Sequence, residues 1–317
     1  MNVYCIFSDD HENFMPVNET LMVKKYLSKN EVISVKESDF FTEKINEINP
    51  EDCVIIWVSI KNKDYKPAFK ELDCRKFLKI IDVSSSDFIP FGSVKNDLES
   101  GIYEAVLMTY PSKEYLQILD SMGQKYIKWP HSMEFNNEDY ANSSKDFDII
   151  ISGQLCRKSY LVRTKVAETL LQHSEQHGIN TGFLPHPGYK INERRHRYIG
   201  EDYVSLLSKC RLVLSCGLQR DIMVMKYLES AKAYSLPVGE IPSYMPEEAK
   251  SAMLEIKPSD SKSEILEKIK GLLNDEKYLR EATLKYHNSI KLNLDIETTT
   301  VNMLNKIINR KYDSLDS

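Results

Sequence analysis

Three features of this 317-residue chain predict an α/β fold built from two doubly wound units. Short apolar runs alternate with helix-compatible stretches along most of its length. A polar segment at 136–146, containing Asn-Asn and Ser-Ser and lacking apolar periodicity, interrupts the alternation once. The alternation then restarts. Apolar strands covered on both faces by crossover helices make a parallel sheet, and the length accommodates two cores of ordinary size.

In the first unit, residues 1–135, strands are expected at 3–7, 32–35, 54–58, 78–83, 105–108 and 126–129, where apolar residues run consecutively. Helix-compatible runs at 19–27, 41–48, 66–72 and 113–122 fall between them. The linker follows Trp129-Pro130-His131, and His131 is expected near the crossover between the units. The second unit, 147–290, reads as strand 147–152, helix 160–173, strand 181–184, helix 202–208, strand 211–214, helix 221–234 and strand 237–241. An apolar run at 253–256 and helices at about 262–273 and 276–290 complete it. In the final segment, 291–317, Val301, Met303, Leu304, Ile307 and Ile308 stand at helical spacing, and this helix is expected to pack back on the first unit.

Composition narrows the function. The hydrophobic fraction of 42% and charged fraction of 28% are those of a soluble globular protein. A net charge of −5 provides no global basic field for nucleic acid or anionic lipid. Six cysteines without a CxxC pair read as buried, reduced thiols of a cytoplasmic protein. The amino-terminal Met1–Phe7 is a first strand rather than a signal segment, and no run approaches the roughly 20 apolar residues of a membrane span. His173 and His177 stand at metal-ligand spacing but lack a third ligand, so no metal site is expected.

The chemistry concentrates between residues 147 and 237. Strand 211–214 runs into Ser215-Cys216-Gly217, where Gly217 permits a close backbone approach or positive φ. The following helix start favours anions, and Arg220 adds a planar fork matched to phosphate oxygens. Asp221 suits either a helix N-cap or an acceptor for a sugar hydroxyl. Eight residues of continuous helix would carry Glu229 roughly 12 Å further along the axis, with Lys226 one turn before it. A carboxylate at that reach can accept from both hydroxyls of a ribose whose phosphates sit at the helix start.

Asp221-x7-Glu229 resembles the acidic-x7-Glu signature of glycosyltransferases with the GT-B architecture of two Rossmann-like domains. Its flanks agree. The stretch 199–207 followed by 211–217 resembles the short helix and strand under the donor site. Tyr227-Leu228-Glu229-Ser230-Ala231, closing at Leu236-Pro237-Val238, resembles the family's helix and strand beyond it, although Tyr234 stands where glycine usually ends that helix. Phe147–Ser152 with Gly153, Arg157 and Arg163 resembles the opening of the donor domain. The subgroup most similar is the spore-maturation-like glycosyltransferases. The resemblance covers about 147–240 and extends to the first half in strand order only.

The resemblance implies parallel sheets facing an interdomain cleft and a nucleoside diphosphate sugar, UDP type, as co-substrate rather than a cofactor. It implies that Arg220 and Lys226 neutralise the diphosphate, that Glu229 holds the ribose and that Gly153 lets the backbone pass close to the leaving nucleotide. Arg157 is a second phosphate contact by its position, and His186 and Tyr189 border the nucleotide base. No metal is required, because cations and a helix dipole stabilise the departing diphosphate. The general base would come from Asp9, Asp10 or His11, a concentration of titratable groups after the first strand. The acceptor would be a glycan, a lipid-linked or another hydroxyl compound; nucleic acid is not expected. Peripheral association with a membrane, and two further readings, stay open. These readings are a nucleotide-sugar 2-epimerase on the same architecture and a non-catalytic sugar-nucleotide-binding subunit.

Overall fold

The computed structural model of the chain describes residues 2–9, 17–58, 66–80, 95–135, 139–188, 195–217 and 221–315. It divides into two compact units, residues 1–131 with 296–317, and residues 132–295.

The first unit carries strands β1 (Asn2–Phe7), β2 (Ile33–Lys36), β3 (Cys53–Val58), β4 (Arg75–Ile80), β5 (Ala105–Met108) and β6 (Tyr126–Lys128). They form one sheet in the order β2-β1-β3-β4-β5-β6, and every pairing is parallel. Helices α1 (Val17–Lys29), α2 (Glu37–Thr42), α3 (Lys66–Glu71), α4 (Lys95–Glu99) and α5 (Lys113–Ser121) supply the crossovers. β3 is buried at all six positions, as a parallel strand covered on both faces must be.

Three elements of this unit depart from expectation: β4 begins at Arg75 rather than 78, α4 is unanticipated, and the helix after β2 is displaced. The helix anticipated at 41–48 forms earlier, as α2, and a 3-10 turn occupies Lys44–Glu47. Tertiary packing decides this. Phe40 is fully buried edge-on to Tyr4, and the Trp57 indole N–H donates to Glu37 Oε1 at 2.9 Å.

The second unit contains β7 (Phe147–Ser152), α6 (Leu161–His173), β8 (Thr181–Leu184), α7 (Glu201–Ser208), β9 (Cys210–Ser215), α8 (Lys226–Lys232), β10 (Leu236–Gly239), α9 (Glu247–Ala252), β11 (Leu254–Glu255), α10 (Lys262–Asn274) and α11 (Glu276–Leu294). Its sheet, also parallel throughout, has the order β11-β10-β9-β7-β8. Ile149, Ile151, Leu212, Leu214 and Val238 line the sheet face that α6, α8 and α11 cover. α10 opens with a capping box in which Ser261 and Glu264 satisfy each other's backbone N–H groups.

α12 (Ile296–Ile308) lies against α1 in the first unit, where Ile296, Met303, Leu304 and Ile307 join Val23, Tyr26 and Leu27 in one core. The segment beyond is tied down there too, because Lys128 N–H donates to Asp313 Oδ2 at 2.6 Å and Lys306 pairs with Asp313. Among the described residues no helix is long and apolar enough to cross a membrane. All six cysteines are free thiols; four are buried, and Cys74 and Cys156 are half-buried.

Candidate functional site

In a doubly wound sheet the ligand crevice opens where neighbouring strands send their crossovers to opposite sides. In the second unit that point lies between β7 and β9, which are adjacent although β8 intervenes in sequence. Two cations converge there.

Arg163, in the first turn of α6, is 4% exposed. Its Nη2 donates to Cys216 O at 2.8 Å, past the end of β9, and its Nη1 to Gln154 O at 3.3 Å, past the end of β7. The guanidinium lies 4.0 Å from the Tyr160 ring centroid. Its Nε is buried with no hydrogen-bond partner among the described residues, an orphan donor of a kind folded proteins rarely keep. Lys226, the first residue of α8, donates from Nζ to Ser152 O at 2.5 Å. Burial, and then the charge of Arg163, push its pKa well below the ordinary lysine value. Neither cation forms an ion pair among the described residues.

Gly153 makes the approach possible. Its φ is +99°, and a Cβ there would stand 3.1 Å from Arg163 Nη1 and 3.7 Å from Lys226 Nζ. Ser152 contributes its side chain as well, with Oγ 2.5 Å from the Tyr203 hydroxyl of α7. Burial raises the Tyr203 pKa, and the charge of Glu229 raises it further. Glu229 thus faces the same group of residues, one turn along α8 from Lys226. His186, in the loop after β8, accepts from Gly188 N–H at Nδ1 (3.0 Å). Burial and then the charges of Arg195, Lys226 and Arg163 lower its pKa, so it is a neutral imidazole at the margin of a cationic pocket.

Gly217 lies one residue past the Cys216 carbonyl that Arg163 holds. A Cβ on it would meet Ile222 O at 2.4 Å, so the loop can fold back here only on glycine. Gly217 also borders a cavity of about 260 Å³ at the carboxyl ends of β9 and β10, lined by Asp221, Tyr227, Glu240, Ile256 and Lys257. In its wall, Glu240 Oε2 is buried without a hydrogen-bond partner among the described residues, and burial raises the Glu240 pKa. Among the described residues, no group of three or more His, Cys, Asp or Glu side chains is arranged to hold a metal ion.

Several expectations are revised. Helix α8 begins at Lys226 rather than 221, because Met223 N–H is taken by the Tyr244 hydroxyl at 2.6 Å and Asp221 adopts a φ of +55°. Asp221 is therefore no helix cap. Its carboxylate accepts from Ser243, from the backbone N–H at 2.5 Å and from the hydroxyl. Glu229 consequently stands three residues into the helix, and the continuous helix from 221 on which the anticipated 12 Å offset rested does not form. Arg157 is 72% exposed at its side chain and engaged bidentately by Glu168, on the outer side of α6. Tyr234 takes the left-handed cap with a φ of +50°, its ring stacked on His287 at 3.9 Å. In the first unit Asp9 accepts from both the N–H and the hydroxyl of Ser38, at 3.0 and 2.8 Å. His131 is buried against the Tyr110 hydroxyl at 2.9 Å. Asp10, His11, Tyr189 and Arg220 lie outside the described residues.

Arg163 is the residue that sequence reasoning undervalued. The available signal was a lone arginine among Val162, Val166 and Ala167, on the buried side of a helix that follows a strand end by a few residues.

Solved structures match the chain over nearly its full length. HepE from Anabaena, in complex with UDP, matches over 98% of this chain and 100% of its own, with a TM-score of 0.63 and 10% identity. The sucrose-phosphate synthase of Thermosynechococcus elongatus covers 98% of each chain at a TM-score of 0.66 and 11% identity. The fold is that of the GT-B glycosyltransferases. An α,α-trehalose-phosphate synthase (UDP-forming) from Burkholderia vietnamiensis matches over 98% of this chain and 100% of its own, with a TM-score of 0.64 and 9% identity. No protein-family model matches the chain, and no curated protein matches its sequence.

Proposed function

We propose that the protein is a glycosyltransferase that binds a nucleoside diphosphate sugar, UDP type, at the carboxyl ends of β7 and β9 and transfers the sugar to a hydroxyl acceptor. One observation supports this most: the buried Arg163 and the half-buried Lys226, whose amine is held inward on Ser152 O, lie side by side at the switch point of the second sheet, and neither is ion-paired with an acid among the described residues. Buried cations in that state are costly unless an anion completes them. A diphosphate supplies the missing acceptors, including one for the orphan Arg163 Nε. Glu229, one turn beyond Lys226, would accept from the ribose hydroxyls, and His186 would border the base. The UDP complex of HepE supports a uridine donor.

In transfer, the bond from the sugar C1 to the diphosphate oxygen breaks and the acceptor oxygen bonds to C1. The acceptor proton passes to a base, proposed to be Asp10 or His11, since Asp9 is already held by Ser38. Arg163 and protonated Lys226 stabilise the charge that develops on the leaving diphosphate, the task a metal performs in other architectures.

The test is calorimetry against UDP, GDP, CMP and their sugars. UDP binding with slow donor hydrolysis and no epimer is the expected result. Absence of binding to any nucleotide refutes the proposal, and epimer formation replaces it with the epimerase reading. Glu229→Ala should weaken UDP binding while leaving affinity for inorganic pyrophosphate unchanged; loss of both would remove Glu229 from the ribose.

A further inference from the structure

A pair of thiols in the first unit stands apart from this chemistry. Cys53 is the first residue of β3, and Cys74 immediately precedes β4. These strands are parallel neighbours in the register Val54↔Arg75, which sets Cys53 and Cys74 opposite each other one step earlier. Adjacent strands lie about 4.8 Å apart, within the Cα separations a disulfide spans, about 4.4–6.8 Å. Opposed residues in register also project to the same face of the sheet. The two thiols are close enough for each to shift the ionisation of the other.

Their environments differ in a useful way. Cys53 is 4% exposed, whereas Cys74 is half-buried. The neighbouring Cys53 thiol, and then the charge of Lys76, favour a thiolate on Cys74, so the Cys74 pKa is lowered. The pKa of Cys53 is raised by the neighbouring Cys74 and by burial. One sulfur is therefore reachable and nucleophilic, and the other is shielded and within bonding range.

We propose that Cys53 and Cys74 are a reversible dithiol–disulfide pair that staples β3 to β4 in the presence of hydrogen peroxide. The Cys74 thiolate attacks the peroxide oxygen, breaking the O–O bond and giving a sulfenic acid and water. The Cys53 thiol then attacks the Cys74 sulfur and expels a second water. Two thiols lose two protons and two electrons, and one peroxide becomes two waters. The bridge forms at the amino ends of the strands, opposite the carboxyl ends where this class of sheet holds ligands, and closes the segment that contains α3. A pair that opens and closes in this way suits redox sensing in a reducing compartment better than permanent bracing.

The test treats the full chain with hydrogen peroxide at neutral pH, blocks remaining thiols with an alkylating agent and maps peptides without reduction. The expected result is a cross-linked peptide pair joining Cys53 to Cys74, reversed by dithiothreitol, with four alkylated cysteines left. Cys53→Ser should instead leave Cys74 as a sulfenic acid trapped by dimedone. Oxidation of Cys74 or Cys156 in the wild-type chain with no Cys53–Cys74 peptide would overturn the proposal, and this arm does not depend on any variant folding.

Discussion

Replacing Lys226 with methionine separates a ligand-binding lysine from a structural one. The Nζ donates to Ser152 O at 2.5 Å, a bond whose net contribution to folding is about 1 kcal/mol. Against that gain stand the burial of an amine and the proximity of Arg163, which together pull its pKa well down. Methionine has similar length and volume, carries no charge and fills irregular space without strain. The two effects oppose each other, so the ligand-free variant should lie within about 1 kcal/mol of wild type in denaturant unfolding. Binding should respond quite differently. A charge-assisted hydrogen bond to phosphate contributes about 1.5–3 kcal/mol, so calorimetry should show UDP affinity falling roughly 10- to 150-fold. A variant that binds UDP like wild type, or one that loses several kcal/mol of stability without ligand, would refute the assignment of Lys226 to the diphosphate.

The depressed Lys226 pKa also gives a pH signature. The unfolded chain holds this proton up to the ordinary lysine range, while the folded state gives it up earlier. Ligand-free stability should therefore rise with pH between the depressed folded value and about 10.4, and Lys226→Met should flatten that rise in urea titrations across the alkaline range. If bound diphosphate restores the proton, calorimetry above the depressed pKa in buffers of different ionisation enthalpy will register proton uptake. Gly217→Ala should destabilise the second unit by about 2 kcal/mol or more, because its Cβ would sit 2.4 Å from the Ile222 carbonyl; thermal unfolding reads this directly. Tyr234→Gly should be nearly neutral, within about 1 kcal/mol. Relief of a positive φ, about 1–2 kcal/mol, is offset by loss of the His287 stack, about 0.5–1.5 kcal/mol, and by glycine's entropy. A much larger loss would mean that the ring, rather than the backbone turn, holds that helix end.

Much of the fold was legible because strand burial leaves a direct mark in sequence. A run such as Val54-Ile55-Ile56-Trp57-Val58 has no polar face to offer water, so it announces a covered strand wherever it occurs. Helix positions were less legible where long-range contacts set them. α2 starts at Glu37 because an indole twenty residues away needs its carboxylate, and periodicity within 41–48 carries no trace of that. α9 went unrecognised although Pro246 followed by two glutamates is an ordinary helix start. At the candidate site, Gly153, His186, Lys226 and Glu229 were expected and do converge, because each follows a strand end or opens a helix.

What the sequence determined by itself was the alternation, hence two parallel sheets, hence a crevice at the carboxyl ends of the strands in each. Local patterning suffices for that, since burial period and turn chemistry act over a few residues. What only tertiary structure decided was which charges face the crevice of the second unit. Arg157 and Arg163 are six residues apart and chemically identical, yet one lies on the outside of α6 against Glu168 and the other is buried under Cys216. Asp221, equally, is directed to Ser243 by a backbone turn that depends on Gly217 admitting Ile222. Charge is written in the chain, but its direction depends on the packing of residues distant in sequence.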